Sequence, residues 1–293
     1  MIKTFCLLVI GSLVGALALT PLVVSLIELF FPDRFGWPFS RVFDRVAMAL
    51  AALIIFVLRR QFSLQEMFVA LTKGSLVYKF RLILTGICIT LITSAAVLFF
   101  AVGDGELRWV SQIRQDFWWK ISWVIPAALL ISCIEESFFR SLLLNRLAER
   151  FAFWPAAVIS SILYAVVHFI APVKDFNYQG WDPFAGINYF FAVIDRMGSA
   201  GVGGASIGLF FVGMILCFVV RTTGSLLLCV GLHSGWVISM KVARFVTEAE
   251  SGYIFASGIG HRYFLVAEPL AWGSLLLVGL AAYVVHVRGL TKT

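Results

Sequence analysis

The stretch CIEESFFR, residues 133–140, lies inside an apolar run that extends from Ile121 to Leu144. A charged side chain near the middle of a bilayer costs about 2.5–3.5 kcal/mol on insertion scales, so such residues are rare in membrane-spanning helices. This stretch places two acids and an arginine, Glu135, Glu136 and Arg140, in that setting. They need partners inside a helix bundle, and we expect a function to depend on them.

The composition of the whole chain indicates an all-α polytopic membrane protein without a separate soluble domain. Of the 293 residues, 61% are hydrophobic and 13% are charged, whereas a soluble globular protein averages about 45–50% apolar and 25% charged residues. The net charge of +7 is spread over the loops. In a membrane protein such Lys and Arg residues anchor loops against anionic headgroups and set orientation, so the charge does not indicate nucleic-acid binding.

The apolar runs predict about eight transmembrane helices, four of which, the fourth to the seventh, form the bundle that holds the charged stretch. The residues from 1 to 116 supply the amino-terminal helices, 117–245 the core region, and 246–293 the last helix and tail. The first run is longer than the apolar part of a signal peptide, which favours a retained helix. The predicted helices are 1–31, 42–58, 80–102, 117–149, 154–171, a sixth ending at residue 220, 225–245 and 263–287.

Three connecting segments are predicted to lie near the membrane surface. Residues 61–79 are amphipathic, which is typical of an interfacial helix. Residues 106–120 contain tryptophans like those of an aromatic belt, and residues 174–198 are rich in aromatic residues, as in an interfacial or partly re-entrant segment. The basic residues are densest between the second and third helices, which favours cytoplasmic termini.

Spacing within the charged stretch predicts different tasks for its two acids. Glu136 and Arg140 are four residues apart, so in a helix they share a face and can pair. Glu135 lies about 100° around the helix from Glu136. We therefore expect Glu136 and Arg140 to neutralise each other, which leaves Glu135 available for chemistry.

His168 on the fifth helix is predicted to lie at the same depth as Glu135. If the hairpin between the fourth and fifth helices turns at residues 151–152, the two side chains are equally far from the turn. An acid and an imidazole at matched depth can hold one water molecule between them, and such a carboxylate can act as general base and then acid. A lone intramembrane histidine can equally be a structural one.

A second histidine, His233, lies within the sequence GLHSGWV at residues 231–237. Its imidazole N–H could stabilise an oxyanion. The small neighbours Gly231, Ser234 and Gly235 leave two alternatives open. They allow either a close approach of another helix or room for a substrate backbone.

The ordered set of a Glu-Glu-x-x-x-Arg motif, an aromatic residue four before a histidine, and a histidine on a later helix resembles the CPBP family of intramembrane endopeptidases, the CAAX-processing and bacteriocin-processing, or Abi, group. The resemblance covers about residues 117–245. It implies that Glu135 and His168 activate the attacking water and that His233 stabilises the oxyanion.

The resemblance also implies a setting and a partner. We expect a multi-pass protein of a bacterial inner membrane, with a membrane-anchored or lipid-modified peptide as its substrate. The substrate would enter beside residues 174–204, and the sequence does not choose between prenylated, bacteriocin-related and sorting-tagged peptides.

Two positions depart from the motifs of this family. Tyr164 stands where Phe is usual, and its hydroxyl could add a hydrogen bond. Val237 stands where Asn or Asp is usual, which removes an oxyanion donor that is typically worth about 10²–10³ in turnover. Ser234 or backbone groups could replace it; otherwise the protein is slow or silent.

Other functions remain open at this point. Glu135, His168 and His233 could together bind zinc, with a water in the fourth position. The sequence contains no HExxH motif, however, and we favour a metal-free site. A catalytically silent scaffold or immunity protein would keep the same charged pair. A proton-coupled transporter would also use buried Glu, His and Arg residues, although the sequence lacks the internal repeat typical of transporters.

Overall fold

The computed structural model describes residues 2–31, 37–58, 75–169, 173, 176, 178, 181–198, 202–250 and 260–288. The chain divides into two compact units, of which the first comprises residues 1–64 and 168–199 and the second residues 65–167 and 200–293. The helices are α1 (Ile2–Phe30), α2 (Phe39–Val57), α3 (Leu76–Gly103), α4 (Phe117–Glu136), a π-helix (Ser137–Leu144), α5 (Asn145–Ala148), α6 (Phe153–Phe169), α7 (Ala185–Met197), α8 (Val202–Thr223), α9 (Leu226–Val246), α10 (Gly260–Ala267) and α11 (Pro269–Val287).

The first unit packs α1 against α2 and α7. Its core is aromatic: the ring of Phe39 lies 5.1 Å from that of Tyr189, and Phe43 lies 4.9 Å from the same ring. Gly186 of α7 lies against the backbone of Leu17 so closely that a Cβ atom would collide with it. These contacts hold α7 against α1.

Helix α9 is the centre of the second unit. It packs against α3 on one side and α4 on another, and most of its residues are buried. A Cβ atom added to Gly231 would collide with the backbone of Ile83, and one added to Gly235 would collide with the hydroxyl of Thr90. Both glycines therefore serve the close approach of α3 to α9, as small residues do in membrane helix pairs.

Five helices of the described residues are long and apolar enough to cross a membrane: Leu7–Phe30, Leu76–Gly103, Phe117–Ala148, Val202–Thr223 and Leu226–Val246. The shorter apolar helices are Phe153–His168 and Pro269–Val285. The predicted all-α polytopic membrane fold is confirmed, whereas the count of eight spans stays a prediction.

Several connecting segments differ from the expectations. The predicted eighth helix is divided at Glu268, because Pro269, which has no N–H to donate, begins a new helix there. Most of the predicted interfacial segment 61–79 lies outside the described residues, and its last four residues belong to α3. Parts of the predicted entry segment 174–204 also lie outside the described residues.

A short antiparallel ribbon that the sequence did not predict joins β1 (Leu107–Trp109) to β2 (Thr247–Ala249). It lies directly after α9 and shortly after α3, and Arg108 pairs with Glu248 at 3.2 Å. The ribbon therefore ties together the ends of the two helices that pack most extensively. The nearby Trp118 and Trp119 are exposed, at 78% and 68%, which suits the aromatic belt expected here.

Candidate active site

The charged stretch lies where the fourth helix changes its winding. Glu135 and Glu136 are the last two residues of α4, and the π-helix that carries Arg140 follows directly. π-Helical turns are rare and occur frequently at functional sites. The sequence predicted a continuous helix over 117–149, and the change in winding within it is a finding of the structure.

Glu136 and Arg140 form an ion pair that is closed to solvent. Glu136 Oε2 lies 3.2 Å from Arg140 Nε, and both side chains are fully buried. The guanidinium also lies over the ring of Tyr164, 5.0 Å from its centroid, and 5.8 Å from that of Phe139. A buried charge is costly unless it is paired, so the two side chains stabilise each other.

His233 is held by the second oxygen of the same carboxylate. Its Nδ1 lies 2.9 Å from Glu136 Oε1. Glu136 is the carboxylate of the ion pair with Arg140, and a carboxylate only accepts hydrogen bonds. His233 Nδ1 is therefore the donor in this bond. Sequence reasoning missed this contact, since the two residues are 97 positions apart.

The other nitrogen of His233 faces two functional groups. Its Nε2 lies 3.9 Å from Glu135 Oε2 and 3.4 Å from the hydroxyl of Tyr164. Because the Nδ1–H donates its hydrogen bond to Glu136, Nε2 has a lone pair available for a proton, a metal ion or a donor whenever the ring is neutral. The carboxylate of Glu136 thus orients the imidazole.

Helix α6 brings His168 to the same place. His168 lies on the last turn of α6. Residues 153–167 of the same helix belong to the second unit. That helix is anchored there by Ser160, whose hydroxyl donates to the carbonyl of Phe139 at 3.4 Å. One ligand atom each from Glu135, His168 and His233 lie within 4.8 Å of one another. The three predicted catalytic residues are therefore neighbours.

The two glutamates differ in their access to solvent. The side chain of Glu135 is 28% exposed, whereas that of Glu136 is fully buried and already paired on both oxygens. The accessible carboxylate is thus the one beside His168 and His233. Proton transfer to and from a substrate requires such access, and only Glu135 has it.

The same three residues fit a zinc ion. One carboxylate oxygen and two imidazole nitrogens are a common ligand set of catalytic zinc. The bond from His233 Nδ1 to Glu136 is the outer contact that usually orients a zinc-binding histidine. The spacing also suits a single water, so the metal-free and zinc-bound sites are both compatible with this geometry.

The two departures from the family motifs have different surroundings. Tyr164 is 1% exposed and its ring meets Phe139 edge-on at 5.1 Å. The hydroxyl of Ser234 donates to the carbonyl of Val230 at 2.7 Å, so this hydroxyl already has an acceptor within its own helix. Val237 is half-buried one turn after His233.

Residues 117–239 match the model of the Type II CAAX prenyl endopeptidase Rce1-like family. This segment is Rce1-like. The match confirms the resemblance to the CAAX proteases, and the matched segment begins at the first residue of α4 and contains every residue of the site described above. Searches of the curated proteins and of the solved structures gave no match.

The matched segment, residues 117–239, resembles a family of proteases. The family is one of CAAX endopeptidases, and the long apolar helices make this chain a multi-pass membrane protein. Its site residues lie on α4, the π-helix, α6 and α9, which are all elements of the matched segment.

Proposed function

We propose that this protein is an intramembrane endopeptidase that hydrolyses a peptide bond near a membrane anchor, with a water activated by Glu135 and His168. The observation that carries this proposal is the convergence of Glu135, His168 and His233, whose ligand atoms lie within 4.8 Å of one another. The Rce1-like match of residues 117–239 supports the same class of reaction.

In the proposed reaction, a water is hydrogen-bonded to the Glu135 carboxylate and the His168 imidazole. Glu135 takes a proton from this water while the water oxygen attacks the scissile carbonyl carbon. The protonated Glu135 then gives that proton to the leaving amine as the C–N bond breaks, which regenerates the carboxylate. His233 stabilises the negative charge on the carbonyl oxygen when its ring is protonated on both nitrogens, since Nε2 then also carries an N–H.

Glu136 and Arg140 have a supporting role in this proposal. Arg140 neutralises the charge of Glu136. The hydrogen bond from His233 Nδ1 to Glu136 holds the imidazole in one orientation. Glu136 and Arg140 act by positioning other side chains, since both are fully buried. The site works without a metal ion in this proposal, and zinc held by Glu135, His168 and His233 is the alternative.

The proposed substrate is a lipid-modified or otherwise membrane-anchored peptide. The family name, CAAX prenyl endopeptidase, makes a prenylated peptide the first one to test. The resemblance implies a bacterial inner membrane, and the basic residues between the second and third predicted helices favour cytoplasmic termini.

The test is hydrolysis by the purified full-length protein in liposomes. The probe is a fluorogenic peptide with a carboxyl-terminal C-a-a-X sequence, farnesylated on its cysteine, and the same peptide without the lipid is its comparison. Wild-type protein should cleave the farnesylated peptide, and Glu135→Gln should reduce cleavage to background. Glu149→Gln is the matched control, because Glu149 is exposed and pairs with Arg146. Hydrolysis that survives Glu135→Gln refutes the assignment.

A silent family member is the second candidate, and Val237 favours it. An apolar residue one turn after His233 offers no hydrogen bond to an oxyanion. A silent member would bind the farnesylated peptide in liposomes with the same affinity in wild type and Glu135→Gln, and neither protein would release product. Turnover by the wild type excludes this candidate.

A further inference from the structure

We propose that the hydroxyl of Tyr164 donates a hydrogen bond to the oxyanion during peptide hydrolysis. This inference rests on the proposed function and adds a catalytic residue to it. The observation behind it is the contact of the Tyr164 hydroxyl with His233 Nε2, at 3.4 Å. That nitrogen also lies 3.9 Å from Glu135 Oε2, so the hydroxyl is next to the proposed reaction centre.

Whether His233 can donate to an oxyanion depends on the number of its ring protons. Its Nδ1–H is used in the bond to Glu136, the carboxylate of the buried ion pair with Arg140. A neutral imidazole has only one N–H. In its neutral form, His233 therefore presents a bare Nε2 toward Glu135 and has no proton to offer to an oxyanion.

The hydroxyl of Ser234, the residue after His233, already has an acceptor in its own helix. The Ser234 hydroxyl donates to the carbonyl of Val230 at 2.7 Å and also lies 3.5 Å from the carbonyl of Ala128. Val237 has no polar atom in its side chain. The Tyr164 hydroxyl, in contrast, carries a proton whether His233 is neutral or charged, and it contacts Nε2 directly.

The ring of Tyr164 is held in place by its neighbours. The side chain is 1% exposed, meets the ring of Phe139 edge-on, and has the Arg140 guanidinium over its face, 5.0 Å from the centroid. Tyr164 also lies one helical turn before His168 on the same face of α6. Its hydroxyl is thus held in place before a substrate arrives, and pre-organised donors stabilise a transition state without reorganisation.

The hydroxyl changes its acceptor during the reaction and transfers no proton. In the resting site it donates to the neutral Nε2, across a distance that is long for a hydrogen bond. Catalytic hydrogen bonds are often long before substrate binds. When the carbonyl oxygen becomes negatively charged it is a stronger acceptor than Nε2, so the O–H turns to it. The hydrogen bond returns to Nε2 when the intermediate collapses.

The experiment compares Tyr164→Phe with wild type on the farnesylated peptide in liposomes. The variant keeps the ring, and with it the contacts to Phe139 and Arg140. We expect kcat to fall by about 10²–10³, the usual effect of one oxyanion donor, with KM and thermal stability unchanged. Tyr283→Phe is the matched control, because it removes another phenol hydroxyl of the second unit, on α11 and outside the site.

A thioamide peptide gives a second readout that a structural role would not change. Sulfur accepts hydrogen bonds less well than oxygen, so wild type should hydrolyse the thioamide more slowly than the amide. In Tyr164→Phe the ratio of the two rates should be closer to one. An unchanged ratio would show that Tyr164 acts only through His233, and would overturn the inference.

The outcomes separate this inference from the proposed function. If Tyr164→Phe retains the wild-type kcat while Glu135→Gln is inactive, the proposed function stands and the inference fails. A loss of activity in Tyr164→Phe that is matched by a loss of thermal stability assigns Tyr164 to packing and also overturns it. If hydrolysis survives Glu135→Gln, the proposed function itself fails.

Discussion

Replacing Glu136 by Gln should strongly destabilise the folded protein. The variant leaves the Arg140 guanidinium fully buried without a carboxylate at 3.2 Å. Removing one partner of a buried ion pair typically costs about 3–5 kcal/mol, because the remaining charge has neither water nor a counter-charge. The charge-assisted bond to His233 Nδ1 weakens in the same variant. Since both losses involve one carboxylate they do not simply add, and we expect a total of about 3–5 kcal/mol.

The measurement is the free energy of unfolding by denaturant in detergent micelles. Glu135→Gln is the matched comparison, because it makes the same chemical change at the neighbouring position, where the side chain is 28% exposed. We expect that variant to unfold with nearly the wild-type free energy while it loses activity. The pair of variants thus separates the glutamate that stabilises the fold from the one proposed for catalysis.

A double variant tests the physical reason. Glu136→Gln with Arg140→Met removes both charges and keeps a long side chain in the same space, so it should be more stable than Glu136→Gln alone. If Glu136→Gln unfolds with the wild-type free energy, or if the double variant is no more stable than the single one, an uncompensated Arg140 charge is not what the carboxylate prevents.

Three further predictions concern packing, pH and metal. Gly231→Ala should destabilise the protein, since its new methyl meets the backbone of Ile83, whereas Gly273→Ala, with open space around it, should leave thermal stability unchanged. The guanidinium of Arg114 and the nearby lysine lower the pKa of Asp116 to about 2 from 3.8. This stabilisation is therefore complete above about pH 4 and is lost as the pH falls through about 2, which a carboxyl NMR titration of Asp116 against pH would show. In the metal-free proposal, prolonged dialysis against a chelator leaves peptide hydrolysis unchanged; a loss that zinc alone restores would establish a zinc enzyme.

The helices could be predicted because the bilayer requires long apolar runs, and these are visible in the sequence. The predicted seventh helix, 225–245, differs from α9 by one residue at either end. The ribbon of β1 and β2 could not be predicted in this way, since each strand has three residues and their pairing joins positions 107 and 249. The break at Glu268 could have been found from Pro269, which cannot continue a helix by donating an N–H.

Part of the site could also be predicted, because some of its contacts are local in the sequence. The pairing of Glu136 with Arg140 is local, and the rule for residues four apart is enough to suggest it. The hydrogen bond from His233 to Glu136 depends on where α9 packs against α4, which no local rule contains. The tautomer of His233 follows only from that contact, and so does the role proposed for the Tyr164 hydroxyl.

The distance along the chain between Glu136 and His233 has a consequence for biogenesis. The ribosome makes His233 97 residues after Glu136, which at about 5–20 residues per second corresponds to roughly 5–20 s. During that interval α4 must enter the membrane without the histidine that later binds its carboxylate. Arg140, made four residues after Glu136, is the partner that is present from the start. The ion pair thus stabilises Glu136 in the bilayer before α9, which carries His233, is made and packs against α4.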